Sequence, residues 1–377
     1  MQKEFFGRGS AQSISVLLTE LGAKNILVVT GKRSYELCGA KKYFDSVLSS
    51  FQKSHFDNFS PNPKFEEAMV GVKLCRRDKI DVVLAIGGGS AIDIAKCIAA
   101  FNPCSGIERQ LATGEKKLDS TPLPVIAIPT TAGTGSEATH FAVIYVEGEK
   151  YSLAAPSLLP YASIVDPNFT DGLPPYITAC TGFDALCQAI ESFWAVGSTN
   201  ESRDNASRAI KLLLKSLVRA VNSPDNISRD DVMRAANFAG KAINISKTTA
   251  PHAISYPLTS YFNIPHGHAV ALTLGHFFVL NSDQESSLND SRGAAHLRGI
   301  MTNLALLLGA RDIKECEPLW WRLMRDCGLE TVPSKLGISS QVAIRKITSN
   351  INVERLKNHP IKLAEHQIVQ LFNDKSD

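Results

Sequence analysis

The 377-residue chain is short of several features that would point elsewhere. It has no apolar run of about 18 residues, so no segment is expected to span a bilayer as a helix. It has no marked charge excess: 40 Lys and Arg against 37 Asp and Glu leave a formal net charge of +3. That balance favours neither nucleic acid nor a membrane surface as a partner. The opening residues, Met1 to Arg8, are charged and carry no apolar core, so no secretory leader is expected. None of the eight cysteines forms a Cys-x-x-Cys pair, which in a chain of this size reads as reduced thiols in a cytoplasmic protein. There is no internal repeat, no low-complexity tract and no Gly-x-Gly-x-x-Gly fingerprint.

What is there describes a globular enzyme-sized chain. Hydrophobic residues make up 44% and charged residues 20%, ordinary values for a folded protein. The length exceeds what one core comfortably fills, and two domains are expected, 1–168 and 169–377. The first half alternates strand-like and helix-like stretches. Asn25 to Thr30, Asp81 to Ile86 and Pro122 to Pro129 are short apolar runs rich in β-branched residues, the pattern of buried parallel strands. Helical stretches are read at Ala40 to Gln52, Lys64 to Asp78 and Ala91 to Ala100. Strand–helix repetition of this kind predicts a doubly wound, Rossmann-like α/β domain. After Asp166-Pro167 the apolar spacing becomes helical, as in Ala209 to Leu217, and no further strand is convincing. An all-α second domain follows, with Val221 to Asp231 a loop leading into a helix.

Two loops at strand ends suggest a nucleotide. Gly87-Gly88-Gly89-Ser90 sits between the second strand and its helix, where small residues let a phosphate approach free N–H groups and the positive helix end. Thr130-Thr131-Ala132-Gly133-Thr134-Gly135-Ser136-Glu137 follows the next strand. Two such loops at the C-terminal ends of parallel strands is the arrangement of a dinucleotide crevice. Asp93 and Lys96, on the first turns of the helix, read as cofactor contacts or as a solvated ion pair. In the second half, Asp184 stands in an otherwise apolar helix, and His252 and His266 are flanked by Pro and Gly. A buried carboxylate needs a cation or a changed protonation state.

Together these motifs are specific. Gly-Gly-Gly-Ser-Ala-Ile-Asp-Ile-Ala-Lys, Pro-Thr-Thr-Ala-Gly-Thr-Gly-Ser-Glu, Gly-Phe-Asp-Ala-Leu and two histidines fourteen residues apart ending in Pro-His-Gly resemble the iron-containing (group III) alcohol dehydrogenases. Their fold is shared with dehydroquinate synthase and glycerol dehydrogenase, and the resemblance covers nearly the whole chain. It implies NAD(P) bound between the domains on the two glycine loops, at Gly87, Gly88, Gly89, Ser90, Asp93, Thr130, Thr131, Thr134 and Ser136. It implies a divalent metal, Fe²⁺ or Zn²⁺, on Asp184, His252 and His266, and a homodimer or higher homo-oligomer.

The chain departs from the family in three places. Gln188 stands where the family has a fourth ligand, a His four residues after the Asp; an amide oxygen binds a divalent ion more weakly than imidazole. Cys187 is an alternative on that face. Tyr256 replaces a His near the nicotinamide and is, with His268, a candidate proton donor. Gly31 stands where many members carry an Asp for the ribose 2′-OH, and Lys32 and Arg33 follow, which suits a 2′-phosphate. Lys247 stands where the family prefers a small residue, and with Thr248, Thr249 and secondarily Lys150 it suits an anionic substrate. The segments Lys247 to Leu258 and Cys187 to Ser192 resemble the phosphonoacetaldehyde reductase (2-hydroxyethylphosphonate dehydrogenase) branch, with sulfoacetaldehyde or another small aldehyde as the alternative substrate. Two other readings compete. A dehydroquinate synthase-type cyclisation needs a denser cation cluster than Lys247 supplies, and a non-catalytic, metal-free nucleotide-binding protein is the other.

Overall fold

A strand buried on both faces must be apolar along its buried stretch, and residues 26–29 and Val82–Gly87 meet that demand. The computed structural model describes residues 2–282, 287–351 and 356–373. They fall into two units, Met1–Leu173 and Pro174–Asp377. The first unit holds strands β1 (Lys3–Phe6), β2 (Asn25–Thr30), β3 (Gln52–Phe56), β4 (Val82–Gly87), β5 (Val125–Pro129), β6 (Phe141–Val146), β7 (Glu149–Ala154) and β8 (Ala162–Val165). Six form one all-parallel sheet in the order β1-β8-β5-β4-β2-β3. Helices α1 (Ile14–Glu20), α2 (Ser34–Leu37), α3 (Ala40–Val47), α4 (Phe65–Asp78), α5 (Gly89–Phe101) and α6 (Glu108–Thr113) make the connections. Separate apolar clusters cover the sheet's two faces, one built around α4 and α5, the other around α1 and α3.

The order of the strands locates a crevice. From β2 the chain moves outward to β3, then returns to the other side of β2 to lay down β4. Connections leave in opposite directions there, and ligands of such sheets bind outside the strand ends at that switch point. Gly31 follows β2 and Gly87 closes β4.

The second unit is helical: α7 (Pro175–Trp194), α8 (Asn200–Asn222), α9 (Asn226–Ser246), α10 (Ala250–Phe262), α11 (His266–Leu280), α12 (Ala294–Leu307), α13 (Cys316–Asp326), α14 (Gln341–Thr348) and α15 (Glu365–Gln370). Sequence signals set the ends. Thr199 caps α8 and Asp225 caps α9, each side chain accepting from the backbone N–H three residues on. Helix α7 runs through the middle, buried over nearly its whole length and packed against α8, α9 and α11. No helix among the described residues is long and apolar enough to cross a membrane.

Five strands escape the sequence reading. β1 and β3 are edge strands with polar or exposed residues, and β8 is only four residues long. β6 and β7 form an antiparallel hairpin, with β6 alternating between buried and half-buried positions. The expected helix over 40–52 ends at Val47, and its last residue, Gln52, begins β3.

Candidate active site

The glycine loops of the first unit fit closely together. A Cβ on Gly87 would lie 2.6 Å from Ala91 Cβ and 3.6 Å from the Gly31 nitrogen; one on Gly89 would lie 2.7 Å from Thr134 Cγ2, and one on Gly88 3.2 Å from Thr131 Oγ1. Side chains at Gly88 and Gly89 would push the two loops apart, so glycine keeps the backbone of the α5 N-terminus within reach of a ligand. Gly88 caps α5, and the Thr130 N–H donates to the Gly87 carbonyl at 3.0 Å.

The polar residues around the loops divide into two groups. Gly31, Gly87, Gly88, Gly89, Thr131 and Thr134 meet where the loops approach each other. Asp93, Ser136 and Ser90 are engaged in holding the loops. Asp93 accepts from Ser136 Oγ and from the Val143 N–H at 3.0 Å. Ser90 donates to the Pro61 carbonyl. Thr130 is buried, at 1% exposure. The solvated Asp93–Lys96 pair is corrected outright. Lys96 is fully buried, and its ammonium donates to the carbonyls of Ser136 (2.5 Å), Thr139 (2.8 Å) and Phe141 (2.9 Å). Burial pulls its pKa down to about 8 against the upward pull of Asp93 and Glu137. Burial likewise raises Asp93, with Lys96 and Ser136 opposing. Helix α5 is apolar nearly all round, so its charges turn inward and fasten the second loop. Lys150, on β7, adds a further positive charge to this Asp93 network.

Lys32 and Arg33 are exposed, and Lys32 Nζ reaches Asn58 Oδ1 at 3.2 Å. A cavity of about 350 Å³ opens beside Lys32, lined also by Tyr35, Lys53 and His55. Lys41 pairs with Glu36 and Lys53 with Asp45 along its wall, so its charges largely cancel.

The second unit gathers the ionisable residues. Asp184, His252 and His266 come from α7, α10 and α11, and one ligand atom of each lies within 4.8 Å of the others. His252 Nε2 is 3.3 Å and His266 Nε2 3.9 Å from Asp184 Oδ1. Gly267 makes this possible: a Cβ there would lie 1.8 Å from the Cys180 carbonyl and 2.9 Å from Asp184 Cβ. Only a glycine lets the first turn of α11 sit against α7, which brings His266 to Asp184. Burial pushes the Asp184 carboxyl up, yet His252, His266 and a Gln188 hydrogen bond hold it below its ordinary value. Burial alone would lower His252, but Glu191 and Asp184 on either side hold it up at about 9.

Asp184, Gln188 and Glu191 recur at i, i+4 and i+7 on one face of α7. Gln188 therefore stands beside Asp184. Cys187 is fully buried, its thiol raised well above the ordinary range by burial, and it is not part of the cluster. Tyr256, one turn beyond His252, stacks on His266 with ring centroids 5.7 Å apart and planes 3° from parallel. His268 points elsewhere. Its Nε2 is 2.8 Å from the Glu330 carbonyl, so Nε2 carries the proton and Nδ1 accepts from the Tyr176 hydroxyl at 3.1 Å. Both nitrogens are committed, and the ring is scaffolding here rather than the expected proton donor. Lys247 is exposed at the end of α9 with φ 59°, immediately before the segment that opens α10. Thr249 donates to Glu191 at 3.0 Å, so its proton is not available to a substrate.

Two residues beside the cluster received no role from the sequence. Glu191 contacts His252 Nδ1 and also accepts from the His252 backbone N–H at 3.2 Å. Ser255 donates to the His252 carbonyl at 2.8 Å, which leaves its oxygen to accept from His266 Nδ1 at 3.3 Å. Both nitrogens facing Asp184 are then Nε2. The available signal for Glu191 was its place one helical turn beyond Gln188 on the Asp184 face.

A parallel sheet with its switch point at glycine loops, joined in sequence to a helical unit carrying an Asp-His-His cluster, is the arrangement expected of a dinucleotide-binding enzyme with a candidate metal site. Comparison with known proteins makes the class definite. The model described as iron-containing alcohol dehydrogenase matches residues 2–167, and that of the C-terminal part of the Fe-containing alcohol dehydrogenase family matches 178–376. The chain belongs to the iron-containing alcohol dehydrogenase family and is an oxidoreductase acting on CH–OH groups. It is 31% identical to long-chain-alcohol dehydrogenase 1 of Geobacillus thermodenitrificans over 97% of this chain and 93% of that one. It is 32% identical to phosphonoacetaldehyde reductase of Streptomyces viridochromogenes over 80% and 78%. Among solved structures, sulfoacetaldehyde reductase from Bifidobacterium kashiwanohense in complex with NAD+ superposes with a TM-score of 0.88 at 31% identity, covering 98% and 96% of the two chains.

Proposed function

We propose that the chain reduces a small anionic aldehyde, phosphonoacetaldehyde, to 2-hydroxyethylphosphonate with NAD(P)H and a divalent metal. The observation that carries this reading is the Asp184–His252–His266 cluster, with the cation Lys247 at the head of the segment leading into His252. One carboxylate and two imidazoles suit Fe²⁺ or Zn²⁺, and Gln188 is the candidate fourth ligand. When bound, such an ion supplies Lewis acidity at the aldehyde oxygen. Gly87, Gly88 and Gly89 would give the pyrophosphate of NAD(P)H a backbone cradle, and that cofactor would supply the hydride for the reduction. The Tyr256 hydroxyl, beside His266, relays the proton to the oxygen. Lys247 and Thr248 take the phosphonate. The likeness to a phosphonoacetaldehyde reductase supports this choice, and the likeness to a sulfoacetaldehyde reductase supports the sulfonate as the second reading.

Steady-state kinetics with phosphonoacetaldehyde, sulfoacetaldehyde and propanal test it. Losing one charge-assisted contact costs about 1.5–3 kcal/mol. Lys247→Ala should therefore lower kcat/KM on the phosphonate about tenfold or more and spare propanal. Equal losses on both would overturn the anion site, and a higher kcat/KM on sulfoacetaldehyde would move the assignment to the sulfonate.

A further inference from the structure

Behind His252 runs a chain of buried hydrogen bonds that no step of the proposed reaction uses. Trp194, the last residue of α7, donates its indole Nε1–H to Thr249 Oγ1 at 3.0 Å. Thr249 passes its own proton to Glu191 Oε1 at 3.0 Å. Glu191 Oε2 contacts His252 Nδ1, and its Oε1 also accepts from the His252 backbone N–H. Each member is at most 1% exposed apart from His252, at 4%. The direction of the chain is fixed, because an indole N–H can only donate. Thr249 oxygen receives from Trp194, so its hydrogen is left for Glu191. With Oε1 occupied, Oε2 is left to accept from Nδ1–H. The far side of Trp194 is set by aromatic edges, Phe278 at 6.0 Å and His359 at 6.3 Å between ring centroids.

We propose that Trp194, Thr249 and Glu191 form a positioning relay that keeps a proton on His252 Nδ1 and aims Nε2 at Asp184. Helix α10 begins at Ala250, so Thr249 is both the residue that caps it and the link in the relay. The relay thus couples the register of α10 against the end of α7 to the orientation of one imidazole. Partners that orient a ligand imidazole in this way commonly change metal affinity by 10–100-fold when lost. The inference rests on the reading of Asp184, His252 and His266 as a metal centre, and two separate readouts keep the two apart.

The first readout is the downfield ring-proton resonance of His252 in the metal-free protein, assigned by its disappearance in His252→Ala. The second is Zn²⁺ affinity by competition with a chelator, alongside thermal unfolding of the metal-free protein. Glu191→Gln should shift or erase the resonance and weaken Zn²⁺ binding about 10–100-fold. Thr249→Val should do the same to a smaller degree, about threefold to tenfold, and Thr249→Ser should restore both readouts. Trp194→Phe, which keeps a ring but no donor, should resemble Thr249→Val and supplies the test if that variant does not fold. An unchanged resonance in Thr249→Val and Trp194→Phe, or a Thr249→Ser variant as impaired as Thr249→Val, would overturn the relay. A resonance that responds as expected in a wild-type protein that binds no Zn²⁺ would uphold the relay and overturn the metal centre.

Discussion

The two halves of the chemistry are built from opposite materials. The glycine loops after β4 and β5 work through what is missing: side chains are absent at Gly87, Gly88 and Gly89 so that the loops can close up. The charges nearby, Asp93 and Lys96, are spent on holding the loops. The Asp-His-His cluster works through what is present, three ionisable side chains from three helices, two of them buried and each held by a neighbour. Backbone sites of the first kind tolerate little bulk, whereas sites of the second kind tolerate little change of charge or hydrogen bonding. The same substitution logic therefore predicts different failures in the two units.

The largest effect should come from the second unit. His266→Ala removes one of three ligand atoms and the imidazole on which Tyr256 stacks. Metal analysis should find the ion lost, and aldehyde reduction should fall to background. Thorough chelation of the wild-type protein should do the same. Full activity in a chelated protein free of metal would sink the contrast, because the cluster would then be mere scaffolding.

In the first unit the counterpart is Lys96→Met. The substitution keeps the length of the side chain but removes the ammonium from three carbonyls and leaves Asp93 without its nearby cation. Breaking a buried charge network in this way costs about 3–5 kcal/mol. Denaturant unfolding should show that loss, and nucleotide affinity should fall while metal content stays. Unchanged stability would mean that the loop is held by its packing alone.

A smaller effect separates the units by pH. His359 is fully buried beside Trp194 and Phe277, and neither ring nitrogen has a hydrogen-bond partner among the described residues. Burial pulls its pKa down to about 3. The unfolded chain binds this proton near pH 6.5 and the folded chain does not, so stability is full above that pH and falls as pH drops toward 3. The slope approaches about 1.4 kcal/mol per pH unit inside the window. His359→Leu should flatten it. Metal-free wild type and variant compared by denaturant unfolding at pH 7, 6 and 5 provide the check, and parallel pH dependences would refute the assignment.

Much of this was legible in the residues. Buried central strands announce themselves as apolar runs, and three consecutive glycines at a strand end mark a place where backbones must approach closely, so β2, β4, β5 and the first loop could be read locally. The edge strands β1 and β3 could not, because half their surface faces water and their polar residues break the pattern. The cluster of Asp184, His252 and His266 was visible only through the family resemblance, since each residue alone reads as scaffolding. His268 shows the hazard: it has the same Pro-His-Gly-His surroundings as His266, but it lies two positions on along α11, on a different face, and binds Tyr176 and Glu330 instead. Glu191 and Ser255 needed coordinates, because what they do depends on which nitrogen of another residue they touch.

The smallest expected effect concerns cofactor choice, and it tests whether the first unit can also discriminate by charge. A carboxylate after the first central strand accepts from a ribose 2′-OH and repels a 2′-phosphate. Here Gly31 holds that place, followed by the exposed cations Lys32 and Arg33. Lys32 is lightly engaged, reaching Asn58 at 3.2 Å, so pairing with a phosphate would cost it little. The wild type is therefore expected to use NADPH at least as well as NADH. Gly31→Asp should be tolerated: a Cβ there meets Ser34 Oγ at 2.3 Å, the end of a small side chain that can rotate away, and Gly31 does not have the positive φ that only glycine adopts readily. The new carboxylate would repel the 2′-phosphate and restore a contact to the 2′-OH. A shift of about tenfold or more in relative kcat/KM toward NADH is expected, equivalent to about 1.4 kcal/mol. Kinetics with both cofactors on both proteins decide the matter. A wild type that prefers NADH by tenfold would show that the cations after β2 are only solvated loop residues, and that this unit selects its cofactor by shape alone.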